Sequence, residues 1–149
     1  MFNQLGYAKC FSKLELRSVY YQVRSAEGDE LNTACVTRYG AYEFKVMPFG
    51  LTNAPATFYM LMNCIFQPYL DQFMVVYLDD IVVYNGTLAK HAEHLRVVFR
   101  VLRDNELFVK REKRSVAKLE VDFLGHKIRD GTLLIDKAKV QAIAKWEPP

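Results

Sequence analysis

The sequence has no paired cysteine motif. Cys10, Cys35 and Cys64 are widely separated, with no Cys-x-x-Cys among them, which excludes the spacings of zinc fingers and ribbons. An odd number of cysteines, one of them inside an apolar helical pattern, reads as reduced, packed thiols of an intracellular protein. The N-terminus lacks an apolar run long enough for a signal peptide. The longest apolar run is interrupted by two aspartates and is too short to cross a bilayer, so no membrane partner is expected. Neither sign of charge dominates: 20 basic residues against 17 acidic ones leave a net +3, weak grounds alone for a polyanionic partner. No repeat, linker or low-complexity stretch is present. A chain of 149 residues fits one domain and can bury roughly two-thirds of its unfolded surface. Its 51% hydrophobic content argues against disorder.

What is present centres on residues 73–84, Phe-Met-Val-Val-Tyr-Leu-Asp-Asp-Ile-Val-Val-Tyr. Two adjacent carboxylates inside a β-branched apolar run conflict with a buried strand unless they are paired or hold a metal. A hairpin resolves the conflict. With 73–78 and 81–84 as strands, Asp79 and Asp80 fall at the turn and form an acidic tip suited to a divalent metal. A second charge feature is the basic cluster Lys110, Arg111, Lys113, Arg114 and Lys118, with Glu112 its lone acid. It reads as a solvated face or as a patch that tracks phosphates.

The remaining elements alternate irregularly. Residues 11–16 read as a strand. Residues 33–38 and 42–47 form two β-rich runs around Tyr39-Gly40-Ala41, a hairpin signal. Asn53-Ala54-Pro55 opens a helix, with Phe58, Leu61, Met62, Ile65 and Phe66 at helical spacing. The clearest helix is 88–107, with Leu95, Val98, Phe99 and Leu102 on one stripe. Residues 123–128 read as a strand, Gly131 as a turn and 133–135 as the hairpin mate. Asp136 caps a closing helix through Val140, Ile143 and Trp146 that stops at Pro148-Pro149. Strands joined by hairpins, interspersed with helices, predict an α+β fold: an antiparallel sheet with helices on one face.

Five stretches taken together carry a family resemblance: Phe11-Ser12-Lys13-Leu14-Glu15-Leu16-Arg17-Ser18, Arg38-Tyr39-Gly40, residues 47–58, Tyr77-Leu78-Asp79-Asp80, and Phe123-Leu124-Gly125-His126. In this order the chain resembles the palm and part of the fingers of a reverse transcriptase from a gypsy-class LTR retrotransposon, essentially end to end. The resemblance implies a polymerase palm with a partial fingers hairpin. It also implies two-metal nucleotidyl transfer, in which cations clamp the attacking and leaving oxygens. Magnesium suits the oxygen ligands, with manganese as a substitute. Asp79, Asp80 and Glu15 map onto the catalytic and metal-binding carboxylates. Tyr20, Phe49, Gly50 and Lys110 map onto the nucleotide pocket, where Tyr20 selects deoxynucleotides by excluding a 2′-hydroxyl and Lys110 neutralises the leaving pyrophosphate. Leu124, Gly125 and His126 map onto the primer grip. RNA/DNA template-primer and dNTP are the implied partners.

Two positions depart from the family's first motif, Leu-Asp-Leu-Arg-Ser-Gly-Tyr, which here reads Leu14-Glu15-Leu16-Arg17-Ser18-Val19-Tyr20. Glu15 stands where the family has aspartate, displacing the carboxylate by one methylene; a misplacement of this order costs about a hundredfold in a catalytic centre. Val19 puts a branched side chain where a small residue is expected beside the triphosphate. The upstream finger strands, thumb and RNase H region have no counterpart in these 149 residues. The expectation is therefore a polymerase fragment that extends primers weakly or not at all in isolation. The alternative is a non-catalytic module that binds protein or nucleic acid, or self-associates, through palm surface left uncovered.

Overall fold

The computed structural model describes residues 5–129 and 132–135. Four strands form the central sheet in the order β4-β5-β1-β6: β1 (Cys10–Glu15), β4 (Met74–Tyr77), β5 (Asp80–Asn85) and β6 (Ser115–Lys118). Its strand pairs are antiparallel. A two-stranded ribbon joins β2 (Cys35–Thr37) to β3 (Gly40–Tyr42), and a three-stranded sheet runs β7 (Glu120–Phe123), β8 (His126–Arg129), β9 (Thr132–Ile135). Among the described residues, the α-helices α1 (Ala54–Phe66) and α2 (Leu88–Asp104) complete an α+β architecture.

Strands β4 and β5 are covered on both faces, which explains why they read as continuous apolar runs. Leu14, Leu16, Met74, Val76, Ile81 and Val83 form one core with Phe58, Met62 and Phe66 of α1 and Leu95, Val98 and Leu102 of α2. On the opposite face Phe11, Val75, Val82 and Tyr84 meet Val121, Phe123 and Ile128 of the β7–β9 sheet. Each such fully buried large side chain contributes about 1.5–3 kcal/mol by leaving water. Helix α1 buries Ala54, Phe58, Met62 and Phe66, one residue in four along a single stripe. Its exposed side carries Cys64, so that thiol is not packed as expected; among the described residues the cysteines are free. Asn53 precedes α1 without a side-chain cap bond. Thr87 does cap α2, its hydroxyl accepting from the Lys90 amide at 3.5 Å.

The structure corrects several expected boundaries. The turn of the acidic hairpin is Leu78-Asp79, and Asp80 is already in β5, paired with Tyr77. Residues 123–128 are not one strand: Leu124 and Gly125 both have positive φ, 52° and 74°, and turn β7 into β8. The β2–β3 ribbon is shorter than the two runs around Gly40. Gly40 itself opens β3, and the downstream run leaves its partner to bridge Val46 with Arg24. Helix α2 stops at Asp104, three residues short of the expected end, because Glu106 adopts a left-handed φ of 56°. The expected β8–β9 pairing is present, with Ile128 opposite Leu133. Gly131 and the closing helix from Asp136 lie outside the described residues.

A buried polar chain fastens α2 to the sheet. The Asn85 amide donates to His91 Nδ1 at 3.1 Å, which leaves the His91 proton on Nε2, donating to Ser12 Oγ at 2.7 Å. Ser12 Oγ also accepts from the Ala117 amide at 3.0 Å, and His94 Nδ1 donates to Asn85 Oδ1 at 2.6 Å. Phe73 stacks on His94 at 3.8 Å between centroids. Burial pushes both imidazoles below their ordinary pKa; the neighbouring His94 adds to the effect at His91, and at His94 Glu93 opposes it while Lys90 reinforces it. The unfolded chain therefore takes up protons below about pH 6.5 that the fold refuses. Stability is expected to be flat above that value and to fall as pH drops toward the depressed folded values. Thermal melts from pH 7.5 to 5.0 test this; a His94→Gln variant retaining the full slope would contradict it.

The Ala117 amide reaches Ser12 because β6 is bulged. Phe11 pairs with Lys118 and Lys13 with Ser115, so β6 spends one extra residue there, and Ala117 sits at φ 50°. A side chain at that φ is strained by about 1–2 kcal/mol, and a β-branched one more so. Ala117→Val is expected to lower stability by about 1–2 kcal/mol in urea titration, with Ala117→Gly at or above the parent. A valine variant as stable as the parent would count against the bulge.

Candidate active site

The β1–β5 register places Glu15 directly opposite Asp80. Antiparallel partners project from the same face, so two carboxylates meet side by side on neighbouring strands, an arrangement that destabilises a sheet unless compensated. Three lysines compensate it. Lys13, two residues before Glu15 on the same face, is diagonal to Asp80 and pairs with its Oδ2 at 2.9 Å. Lys110 and Lys113, from the segment leading into β6, both reach Glu15 Oε1; the Lys113 contact is 3.2 Å and the Lys110 contact is a short charge-assisted hydrogen bond. That Lys110 bond holds the Glu15 carboxyl below its ordinary range against the opposing cost of burial, with Lys113 assisting. The same bond raises Lys110, and the charges of Asp79 and Glu112 add to it.

Asp79 occupies the hairpin tip after Leu78, whose φ of 51° forms the turn. Its carbonyl accepts from the Leu16 amide at 2.8 Å, which ties the tip to the end of β1. The structure thus brings Glu15, Asp80, Asp79 and Lys110 into one neighbourhood, as expected for that part of the site. It does not arrange the carboxylates as a cation cage. Among the described residues no three His, Cys, Asp or Glu side chains are grouped to hold a metal, and Glu15 Oε1 and Asp80 Oδ2 are bonded to lysine nitrogens. As arranged, the acidic residues do not fit a divalent ion.

A second group stands after β1. Tyr20, in the short helical turn Val19–Gln22, packs on Phe49 at 5.2 Å and edge-on to Phe58 at 6.1 Å. Gly50, next to the exposed Phe49, has φ 100° and open space where a side chain would stand, so the backbone conformation is what demands glycine. Val19 packs against the main core. The expected primer-grip residues Leu124, Gly125 and His126 form the β7–β8 turn and the first residue of β8, a hairpin tip instead of a strand interior.

Two clefts flank the Glu15–lysine contacts. One, of about 810 Å³, is lined by Arg17, Ser18, Gln22 and residues 108–112, with Arg17, Lys110 and Arg111 as its basic side chains. The other, of about 740 Å³, lies among Lys13, Glu15, Lys113, Lys118 and the start of β7. Sequence reasoning missed Lys13, Lys113 and Gln22 as members of this region. Lys13 carried a signal, since it alternates with Glu15 on one strand face; Lys113 and Gln22 act across 98 and 86 residues of chain. The Gln22 Oε1 accepts from the Phe108 amide at 2.6 Å while its Nε2 donates to the Arg17 carbonyl, and the Lys110 amide donates to the Glu15 carbonyl at 2.8 Å. Gln22 thereby holds the 108–110 segment against the end of β1. Gln22→Ala is expected to cost about 1–2 kcal/mol and to accelerate amide exchange at Phe108 selectively. Unchanged exchange there would remove Gln22 from this role.

Residues 1–128 match the family model described as "Reverse transcriptase (RNA-dependent DNA polymerase)". The chain is 60% identical over 101 residues to an RNA-directed DNA polymerase homolog of Oenothera berteroana, covering 66% of this chain and 71% of that protein. It is 36% identical over 147 residues to the retrovirus-related Pol polyprotein from transposon 297 of Drosophila melanogaster, covering 99% of this chain and 14% of the polyprotein. The fold is similar to that of a foamy viral protease–reverse transcriptase solved with an RNA/DNA hybrid. The TM-score is 0.82 at 22% identity, over 99% of this chain and 20% of that one.

Proposed function

This chain belongs to the reverse transcriptase (RNA-dependent DNA polymerase) family of LTR retrotransposon Pol proteins, and from that membership we propose that it is a polymerase palm with part of the fingers, engaging an RNA or DNA template-primer and deoxynucleoside triphosphates. It spans only 14% of the transposon polyprotein it matches. The observation that carries the reading is the Asp79-Asp80 hairpin held beside Glu15 by the β1–β5 register. Tyr20, Phe49 and Gly50 support a nucleotide pocket: the tilted aromatic pair offers ring surface for a sugar and base, and Gly50 keeps the neighbouring backbone open. Arg17, Lys110 and Arg111 along one cleft suit a triphosphate. Leu124, Gly125 and His126, on an exposed turn, are proposed to meet the primer strand.

Magnesium is the proposed ion, with manganese as its substitute. The acidic residues do not accept either in the arrangement described, since lysines hold Glu15 and Asp80. The isolated chain is accordingly proposed to be a weak polymerase. With few basic contacts its hold on template-primer is expected to be weak and steeply salt-dependent. Primer extension on an RNA template tests the reading, run with the unaltered chain and with Glu15→Asp. Weak extension that rises in Glu15→Asp by roughly tenfold or more, out of the hundredfold a misplaced group can cost, supports it. Processive synthesis by the unaltered chain overturns the weak-polymerase reading. Absence of both extension and template-primer binding in either protein overturns the polymerase assignment.

A further inference from the structure

We propose that Glu15 serves as a lysine anchor and that Lys110 and Lys113, with Lys13 on Asp80, are built-in counter-ions that exclude divalent cations from the carboxylate pair. The inference rests on the polymerase reading for its site and deepens it by assigning a regulation to that site.

Three observations carry it. First, the sheet register forces Glu15 and Asp80 together as cross-strand neighbours, so the pair requires positive charge whatever supplies it. Second, the lysines supply it from two sides: Lys13 from β1 itself, and Lys110 and Lys113 from a segment whose backbone is fixed to β1 by the Lys110 amide bond to the Glu15 carbonyl. The clamp is therefore anchored by main chain as well as by charge. Third, Lys110 and Lys113 converge on the same carboxylate atom, Glu15 Oε1. A divalent ion binding there must displace two ammonium groups, each already placed where the ion's charge would act. The carboxylate of Asp79, at the tip, has no hydrogen bond or ion pair among the described residues, the Leu16 bond being to its carbonyl, and is the carboxylate most available to an incoming cation. A single carboxylate with no substrate phosphates beside it leaves nearly all of the six-ligand shell to water, and so holds the ion weakly.

The glutamate suits this arrangement. Its extra methylene carries the carboxylate away from the backbone of β1 and toward the 110–113 segment. An aspartate at the same position would leave a longer gap to both lysines.

The test uses Mn²⁺ alone, titrated into the full chain and read by loss of the free-ion electron paramagnetic resonance signal. The unaltered chain is expected to bind weakly. Lys110→Gln/Lys113→Gln is expected to bind at least about tenfold more tightly, which corresponds to about 1.4 kcal/mol. Arg103→Gln/Arg114→Gln removes the same charge from the stretch between the last turn of α2 and β6 without touching Glu15, and is expected to change the affinity less than about threefold. Adding Asp79→Asn to the lysine pair is expected to abolish the gain. Equal affinity in the unaltered chain and the lysine variant overturns the proposal. So does an equal gain in the arginine variant, or a gain that survives Asp79→Asn. Should the lysine variant fail to fold by circular dichroism, Glu15→Asp gives a second route, withdrawing the anchor while keeping the lysines; unchanged Mn²⁺ affinity there is equally fatal. No template, primer or nucleotide enters the measurement, so its outcome is separate from that of primer extension.

Discussion

The pairing of β1 with β5 is the constraint on which the rest of the structure depends. It is central in the sheet, it joins residues some seventy positions apart, and both of its faces are buried along most of its length. A slip of β1 by one residue would turn Leu14 away from the helices and from Ile81 and Val83, and bring Lys13 and Glu15 into the helix-facing core. The register that buries the apolar residues correctly is the same register that sets Glu15 against Asp80. Charge repulsion at the end of the pair is thus a direct consequence of good packing in its middle. The lysines at that end are the local answer to it.

The opposite end of the same pair shows a different answer to a similar problem. Ser12 and Asn85 are polar residues inside a buried strand pair, and neither has a charge to neutralise. They are satisfied by neutral imidazoles from α2 and by the amide that the β6 bulge turns inward. One end of the pair is held by ion pairs at a partly exposed rim and the other by a dry hydrogen-bond chain. The dry chain fixes where α2 sits on the sheet, and the loop leaving α2 carries Lys110 and Lys113. Correct seating of the helix is therefore a precondition for the clamp on Glu15.

Most of the elements were legible in the sequence because their cause is local. β-Branched runs gave β4 and β5, and apolar–polar alternation gave β1; helical spacing gave both helices; a Gly turn flanked by β-rich runs gave the β2–β3 ribbon. The acidic hairpin, the α+β class and the family are written in the same local patterns. What sequence could not show falls into two physical kinds. Turn positions were misplaced where leucine takes a left-handed conformation, at Leu78 and Leu124. An apolar residue there looks like more strand, and only the tertiary fit holds it at positive φ. Site partners were missed where they act over long chain distances, as Lys113 does for Glu15 and His91 for Ser12. His91 sits one helical turn before Leu95 on the buried stripe, but its chemical partner, Ser12, lies on β1.

The two departures from the family's first motif have different consequences. Val19 was expected to intrude on a nucleotide's phosphates, yet it packs against the core that includes Leu14 and Leu16. Its branched side chain is a packing residue, and the open space in this region belongs to Gly50 instead. Glu15 is the substitution that changes chemistry. Its charge alone would leave the local balance of acids and bases as an aspartate has it, so a count of charges misses the difference. Reach decides it: a carboxylate one methylene farther from β1 is placed for ammonium groups on the neighbouring segment, where a shorter side chain stays closer to the Asp79-Asp80 turn. An acidic hairpin intact in sequence can therefore sit beside a carboxylate whose bonding is committed elsewhere. Ancestry is written in the hairpin, while present chemistry is set by the strand next to it.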